Sequence, residues 1–123
     1  MGTVIPALVV GDDGPIASVS LRIDRASGSG ELGYWIDQAA EGRGIITRAA
    51  AALVDHATSL GLEQIDIRAA VANRRSRAVA ERLGFTLDRT VPGGLPVGDR
   101  RLDLAVYTLT LPAPPATVSP SRP

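Results

Sequence analysis

Glu41-Gly42-Arg43-Gly44-Ile45-Ile46-Thr47 is a glycine-flanked turn that follows an apolar run, Leu32-Gly33-Tyr34-Trp35-Ile36-Asp37, and feeds directly into an amphipathic stretch. A turn that becomes a helix in this way leaves several backbone N–H groups without acceptors and pointing the same way. Main chain alone then makes an anion pocket, suited to a phosphate-bearing cofactor. A second stretch must be taken with it: Asn73-Arg74-Arg75-Ser76-Arg77-Ala78-Val79-Ala80-Glu81-Arg82-Leu83-Gly84-Phe85. One helix and one strand separate the two. Both helices therefore start at the same edge of a sheet, beside the carboxyl ends of parallel neighbours, where α/β folds bind ligands.

The elements that position these residues are legible from periodicity. Thr3 to Val10 is apolar and β-rich, Gly11-Asp12-Asp13-Gly14-Pro15 is a turn cluster, and Ile16 to Ile23 alternates with period two, so the pair reads as a β-hairpin. Ala26-Ser27-Gly28-Ser29-Gly30 is a second turn, and Glu31 to Asp37 a third strand antiparallel to the second. Gly44 to Leu60 is the strongest helix, with Ile45, Ala49, Ala52, Leu53, Ala57 and Leu60 on one face and Gly61 as its stop. Gln64 to Val71 is a fourth strand, parallel to the third because a helix crosses between them. Asn73 caps a second helix, Arg74 to Leu83, closed by Gly84. Phe85-Thr86-Leu87 begins a strand, Val91 to Gly98 reads as a loop, and Leu102 to Leu111 as a final strand. The order is β-β-β-α-β-α-β-β. Residues 1–111 form one domain; residues 112–123 hold five of the nine prolines and read as a disordered tail.

Composition narrows the function. The 13 basic residues, all Arg, balance 13 acidic ones, which argues against a nucleic-acid module relying on excess positive charge. The absence of cysteine excludes a thiol nucleophile, disulfides and thiolate metal sites. No signal-like opening or membrane-length apolar run stands out, so a cytoplasmic location is the expectation. Aromatics make up only 3% of residues, so the core must come from Ala, Val, Leu and Ile.

Taken together, these segments resemble the GNAT superfamily of acetyl-CoA-dependent N-acyltransferases. Gly42-Arg43-Gly44 is similar to its pyrophosphate loop, and Asn73-x-x-Ser76 with Ala80-Glu81-Arg82-Leu83-Gly84-Phe85 to its second helix. Gly33-Tyr34-Trp35-Ile36-Asp37 followed by Glu41 to Thr47 is most similar to the RimJ/RimL-like branch, which acetylates protein N-termini and related amines. The resemblance runs from about Val4 to Leu111. It implies an α+β fold: a mixed, mostly antiparallel sheet flanked by helices. It also implies acetyl-CoA as cosubstrate, no metal, and an amine acceptor. The amides of Gly42, Arg43, Gly44, Ile45, Ile46 and Thr47 would receive the pyrophosphate, with a charge-assisted contact from Arg43. The strand Trp35-Ile36-Asp37 would pair its main chain with pantetheine. Asn73 would bond the pantetheine arm, and Ser76 would sit near the sulfur as the acid for the leaving thiolate. Glu31 is the candidate general base. The reaction implied is direct attack of a neutral amine, on a protein N-terminus or a small molecule, at the thioester.

Alternatives stand beside these roles. Glu31 also reads as a solvated strand-end residue, and Ser76 as a first-turn capping partner. Asn73 could cap the helix with its side chain while its carbonyl serves the ligand. Arg74, Arg75 and Arg77 suit either the 3′-phosphate of CoA or a solvated face. His56 reads as a helix residue, Tyr34 and Tyr107 as sheet residues with Tyr107 a lesser acceptor-wall candidate, and Asp99, Arg100 and Arg101 as lesser acceptor contacts. Three positions depart from the family pattern: Glu41 would repel a pyrophosphate, Ala80 stands where many members carry Tyr, and Ile46 replaces a small residue. The hairpin begins almost at Met1, so the strand and helices that usually precede it, one wall of the acceptor groove, are expected to be missing. That leaves a homodimer, or a non-catalytic acyl-CoA-binding or regulatory relative, as alternatives; a domain that keeps only the fold fits less well with the nearly intact loop.

Overall fold

The second strand shows how the sheet is built. In β2 (Gly14–Asp24), Ala17, Val19, Leu21 and Ile23 are buried, whereas Arg22 and Asp24 are exposed. A strand sends alternate side chains to opposite faces, so one face of β2 is core and the other is polar. The computed structural model describes residues 3–11, 14–36 and 44–112. Asp37, Glu41, Gly42 and Arg43, expected above to meet the cofactor or to depart from the family pattern, and the tail from residue 113 lie outside the described residues.

Strand β1 (Thr3–Gly11) pairs antiparallel with β2, from Thr3↔Ile23 to Gly11↔Gly14. Strand β3 (Ser29–Ile36) pairs antiparallel on the other side of β2. Helix α1 (Ile45–Ser59) crosses to β4 (Gln64–Ala70), which lies parallel to β3. Helix α2 (Arg74–Arg82) crosses to β5 (Thr86–Val97), and β6 (Arg100–Thr110) returns between β4 and β5. The sheet order is β1-β2-β3-β4-β6-β5. Helix α1 packs on β2 and β3, and α2 on β4 and on α1, so both helices cover one face. The mixed, mostly antiparallel sheet and the element order agree with the expected fold class.

The buried stripe of α1 is Ile46, Ala50, Leu53 and Ala57, which joins Val19, Leu21, Leu32, Ile65 and Tyr107 in one cluster. The face read from sequence holds at Leu53 and Ala57, which are buried; Ile45, Ala49 and Leu60 are partly buried against the core, Ala52 is exposed, and Ile46 and Ala50 complete the buried stripe. The run Ala49 to Ala52 is apolar all round and gives no direction. Ile45 both packs against this cluster and lines the opening described below.

The stretch from Val91 to Gly98, expected to be a loop, is largely strand. Strand β5 runs to Val97, and its register shifts between Val91 and Leu95, where Pro92-Gly93-Gly94 bulges out of the ladder. Strand β6 supplies partners that the ladder does not: Gly93 N–H donates to Asp103 Oδ1 at 3.0 Å, and Arg101 Nε donates to the Gly93 carbonyl at 2.7 Å. Gly93 has φ +63°, and a Cβ on Gly94 would lie 2.8 Å from the Val91 side chain. Turn-forming residues here make a bulge inside a hairpin.

Candidate functional site

Pairing between β3 and β4 runs only from Ser29↔Gln64 to Leu32↔Ile67. Beyond that point β3 continues to Ile36 with β2, while β4 continues to Ala70 with β6. The two parallel strands therefore part, and the β4 side of β3 from Gly33 onward has no ladder partner among the described residues. A groove of about 940 Å³ opens on the helix-bearing side of this splay. Tyr34 and Trp35 form one wall, Gly44 to Arg48 a second, and Asn73 to Ser76 with Val79 and Arg82 a third.

Gly44 caps α1 in the left-handed region, φ 69° and ψ 15°, and no side chain caps this end. Intrahelical bonding begins with Arg48 N–H donating to the Gly44 carbonyl at 3.0 Å. The helix geometry leaves the N–H groups of Ile45, Ile46 and Thr47 without intrahelical acceptors at the groove wall. A Cβ on Gly44 would lie 3.1 Å from Arg48 Nη1, so glycine suits this position both by conformation and by space.

Helix α2 starts differently. Asn73 Oδ1 accepts from Ser76 N–H at 3.1 Å, a side-chain cap. The Asn73 carbonyl, expected to be open to a ligand, instead accepts from Arg77 N–H at 3.1 Å. With Oδ1 engaged in the cap, the side-chain NH2 of Asn73, a residue that lines the groove, is its remaining side-chain donor. Ser76 lines the groove in the first turn, and its carbonyl accepts from the Tyr34 hydroxyl at 2.7 Å. Burial pushes the Tyr34 phenol up to about 12, partly opposed by the bond to Ser76, so it is protonated at neutral pH.

The arginines divide into two groups. Arg74 and Arg75 line the groove, together with Arg48 and Arg82, which sequence reasoning did not pick. Arg82 follows Arg74 and Ala78 at four-residue steps on one face of α2, a spacing that would have found it. Arg77, grouped with them from sequence, turns inward: its Nε donates to the Tyr107 hydroxyl at 2.8 Å and its Nη1 to the Val71 carbonyl at 2.8 Å. The Tyr107 hydroxyl in turn donates to Glu81 Oε2 at 3.0 Å. Tyr107 is 1% exposed, a core residue and not a groove wall.

Glu31 is not brought to the groove. It alternates with the buried Leu32 and so points to the helix-free face, opposite Asp66 in register. There it joins Arg22, Asp24, Ser29 and Arg68 around a hollow of about 220 Å³, with Arg68 Nε 3.9 Å from its Oε1. Both side chains are 40–48% exposed, and a pair of that kind contributes little. His56 is exposed in the last turn of α1, away from the groove. Asp99 and Arg100 lie at the β5–β6 turn, and Arg101 is engaged by the bulge. Among the described residues no three His, Cys, Asp or Glu side chains gather in a way that would hold a metal, and no helix is long and apolar enough to cross a membrane.

Residues 3–86 match the family pattern of the acetyltransferase (GNAT) domain. The chain is 42% identical over 89 residues to "Putative ribosomal N-acetyltransferase YdaF" of Bacillus subtilis (strain 168), covering 72% of this chain and 49% of that protein. It is 34% identical over 87 residues to the ribosomal-protein-serine acetyltransferase of Escherichia coli (strain K12), covering 70% of this chain and 49% of that one. The chain thus spans about half the length of these curated relatives. Its fold superposes with TM-score 0.81 on the crystal structure of the Microcin C7 self immunity acetyltransferase MccE in complex with acetyl-CoA and AMP, at 25% identity, covering 88% of this chain and 61% of that one. A βαβ splay that opens a groove between two helix starts, a match to the family pattern over most of the chain, and relatives named as ribosomal-protein acetyltransferases make this chain a member of the GNAT acetyltransferase family.

Proposed function

We propose that this chain binds acetyl-CoA in the splay groove and transfers the acetyl group to a primary amine, on a protein N-terminus or a small molecule. The observation that carries the reading is the groove itself. It has helix N–H groups on one wall, an unladdered strand edge on another, and four arginines with no carboxylate among its described lining residues. The N–H groups of Ile45, Ile46 and Thr47, with Gly44 leaving the approach bare, suit the diphosphate. Arg74 and Arg82 suit the further phosphate charge. The main chain of Trp35 and Ile36 on the open side of β3 suits the amides of pantetheine, with a donor from the Asn73 side chain.

In the transfer, the amine nitrogen forms a bond to the thioester carbonyl carbon, the C–S bond breaks, the nitrogen loses a proton and the thiolate gains one. Holding both reactants in place supplies much of the rate, up to ~7–11 kcal/mol of the barrier. The Ser76 hydroxyl, in the groove beside the first turn of α2, is the candidate donor to the thiolate. Glu31 serves as base only for an amine that enters from the helix-free face, through the gap where β3 leaves β4. That ribosomal proteins are the acceptors is suggested by the names of the relatives and belongs to this proposal.

A second reading has a specific observation in its favour. Glu31 lines a hollow other than the groove, as expected of an acyl-CoA-binding protein without a working base. One experiment separates the two: calorimetric titration with CoA and acetyl-CoA, followed by thiol release across amines and N-terminal peptides. Binding with turnover supports the transferase, binding without turnover supports the second reading, and no binding refutes both.

A further inference from the structure

We infer that Tyr34 is a positioning residue whose hydroxyl locks the first turn of α2 to the splayed end of β3 and so sets the width of the groove. The inference rests on the cofactor reading above and deepens it. Past Leu32↔Ile67 the ladder between β3 and β4 ends, so among the described residues no ladder bond holds the two arms at a fixed separation. The Tyr34 hydroxyl bridges that gap, donating to the Ser76 carbonyl at 2.7 Å across 42 residues of sequence. Its ring is a stiff spacer with few torsions, so the bond sets a distance as well as making a contact. The same turn of α2 carries Asn73 and Ser76, two of the groove's polar groups.

Helix α2 is held from the other arm as well. Arg77 reaches Tyr107 on β6 and the Val71 carbonyl after β4, and Tyr107 reaches Glu81. The helix therefore hangs between two struts, one from each side of the splay, and only the Tyr34 strut touches the groove. The chemistry of the phenol fits holding better than proton transfer. Its proton is already committed to the Ser76 carbonyl, so the hydroxyl is occupied as a strut.

The test compares Tyr34→Phe with Tyr107→Phe in the 123-residue chain, by amide hydrogen exchange without ligand and by calorimetric titration with coenzyme A. Losing one hydrogen bond predicts exchange at the Ser76 and Arg77 amides about 3- to 10-fold faster in Tyr34→Phe, with coenzyme A affinity weakened by a similar factor. Tyr107→Phe should lower the melting temperature while changing that affinity less than about twofold. Unchanged exchange at the two amides overturns the inference, as does faster exchange with undiminished affinity, or equal weakening by Tyr107→Phe. If the unaltered chain takes up no coenzyme A, the cofactor reading falls on its own, and the exchange comparison still decides whether the lock exists.

Discussion

Replacing Gly44 by Asn and by Asp separates the two things asked of this position, a left-handed backbone and an uncharged approach to the groove. Gly44 sits at φ 69°, ψ 15°, where a side chain costs about 1–2 kcal/mol, with Asn and Asp at the low end because both visit this region readily. For a domain of this size about 1 kcal/mol lowers the melting temperature by roughly 4–8 °C. Asp should fall no further than Asn, because a carboxylate at a helix N-terminus is favourable. Coenzyme affinity should move the other way. A carboxylate about 4 Å from a phosphate charge is disfavoured by about 1 kcal/mol in water and about 4 kcal/mol near a protein surface. The Arg48 guanidinium, 3.1 Å from where the new Cβ would stand, offsets part of this and favours the lower half of the range. A penalty of about 1–2 kcal/mol makes the Asp variant bind coenzyme A about 5- to 30-fold more weakly than the isosteric Asn variant. The assay is calorimetric titration of both variants at low and at physiological ionic strength, and the gap should narrow with salt. Equal affinities for the two variants would refute the assignment of this helix start as the anion wall.

Arg82→Gln should weaken coenzyme A binding about fivefold, one modest charged contact, whereas Arg77→Gln should leave binding near the unaltered value and instead reduce stability by about 1–3 kcal/mol, read by urea denaturation, because the Val71 carbonyl loses its side-chain donor and Tyr107 keeps only Glu81. Gly94→Ala should destabilise the β5–β6 hairpin by about 1–3 kcal/mol, since its Cβ would fall 2.8 Å from the Val91 side chain, with coenzyme affinity unaffected. Tyr34 makes stability pH-dependent at the alkaline end. Its folded-state value is raised from 10.0 to about 12, so the folded chain binds more protons in that window, and stability present below pH 10 is lost as pH rises toward 12. Solvent reaches part of the ring, so the loss is smaller than the ~2.7 kcal/mol of a full two-unit shift. Thermal melts between pH 9 and 12 should show a shallower decline in Tyr34→Phe than in the unaltered chain, and parallel curves would contradict this.

What could be read from the chain was whatever local chemistry decides. The alternation of Ala17, Val19, Leu21 and Ile23 predicted the buried face of β2, because a period of two has one structural meaning there. Gly44, Gly61 and Gly84 marked helix ends, and all three have positive φ. What was missed depends on contacts distant in sequence or on residues with no directional signal. Ala49 to Ala52 could not orient the first half of α1, so Ile46 and Ala50 were missed there, while Leu53 and Ala57 were read correctly. Pro92-Gly93-Gly94 reads as a loop until Arg101 and Asp103 on the next strand are seen to satisfy Gly93. Arg77 looked like its neighbours Arg74 and Arg75, and only the buried Tyr107 draws it inward. The Tyr34–Ser76 bond joins a strand to a helix across a gap in the sheet, which no local pattern announces. The opposite facing of Glu31 was implicit in the alternation with Leu32, but it had consequences only once the groove's side was known.

The most direct measurement is an amide-resolved titration of the 15N-labelled chain with coenzyme A. The account predicts that the signals of Ile45, Ile46 and Thr47 shift together and saturate with the same affinity seen by calorimetry, while those of Gln64 to Ile67, in the paired part of β4, stay in place. Saturating coenzyme A with those three amides unmoved would contradict it.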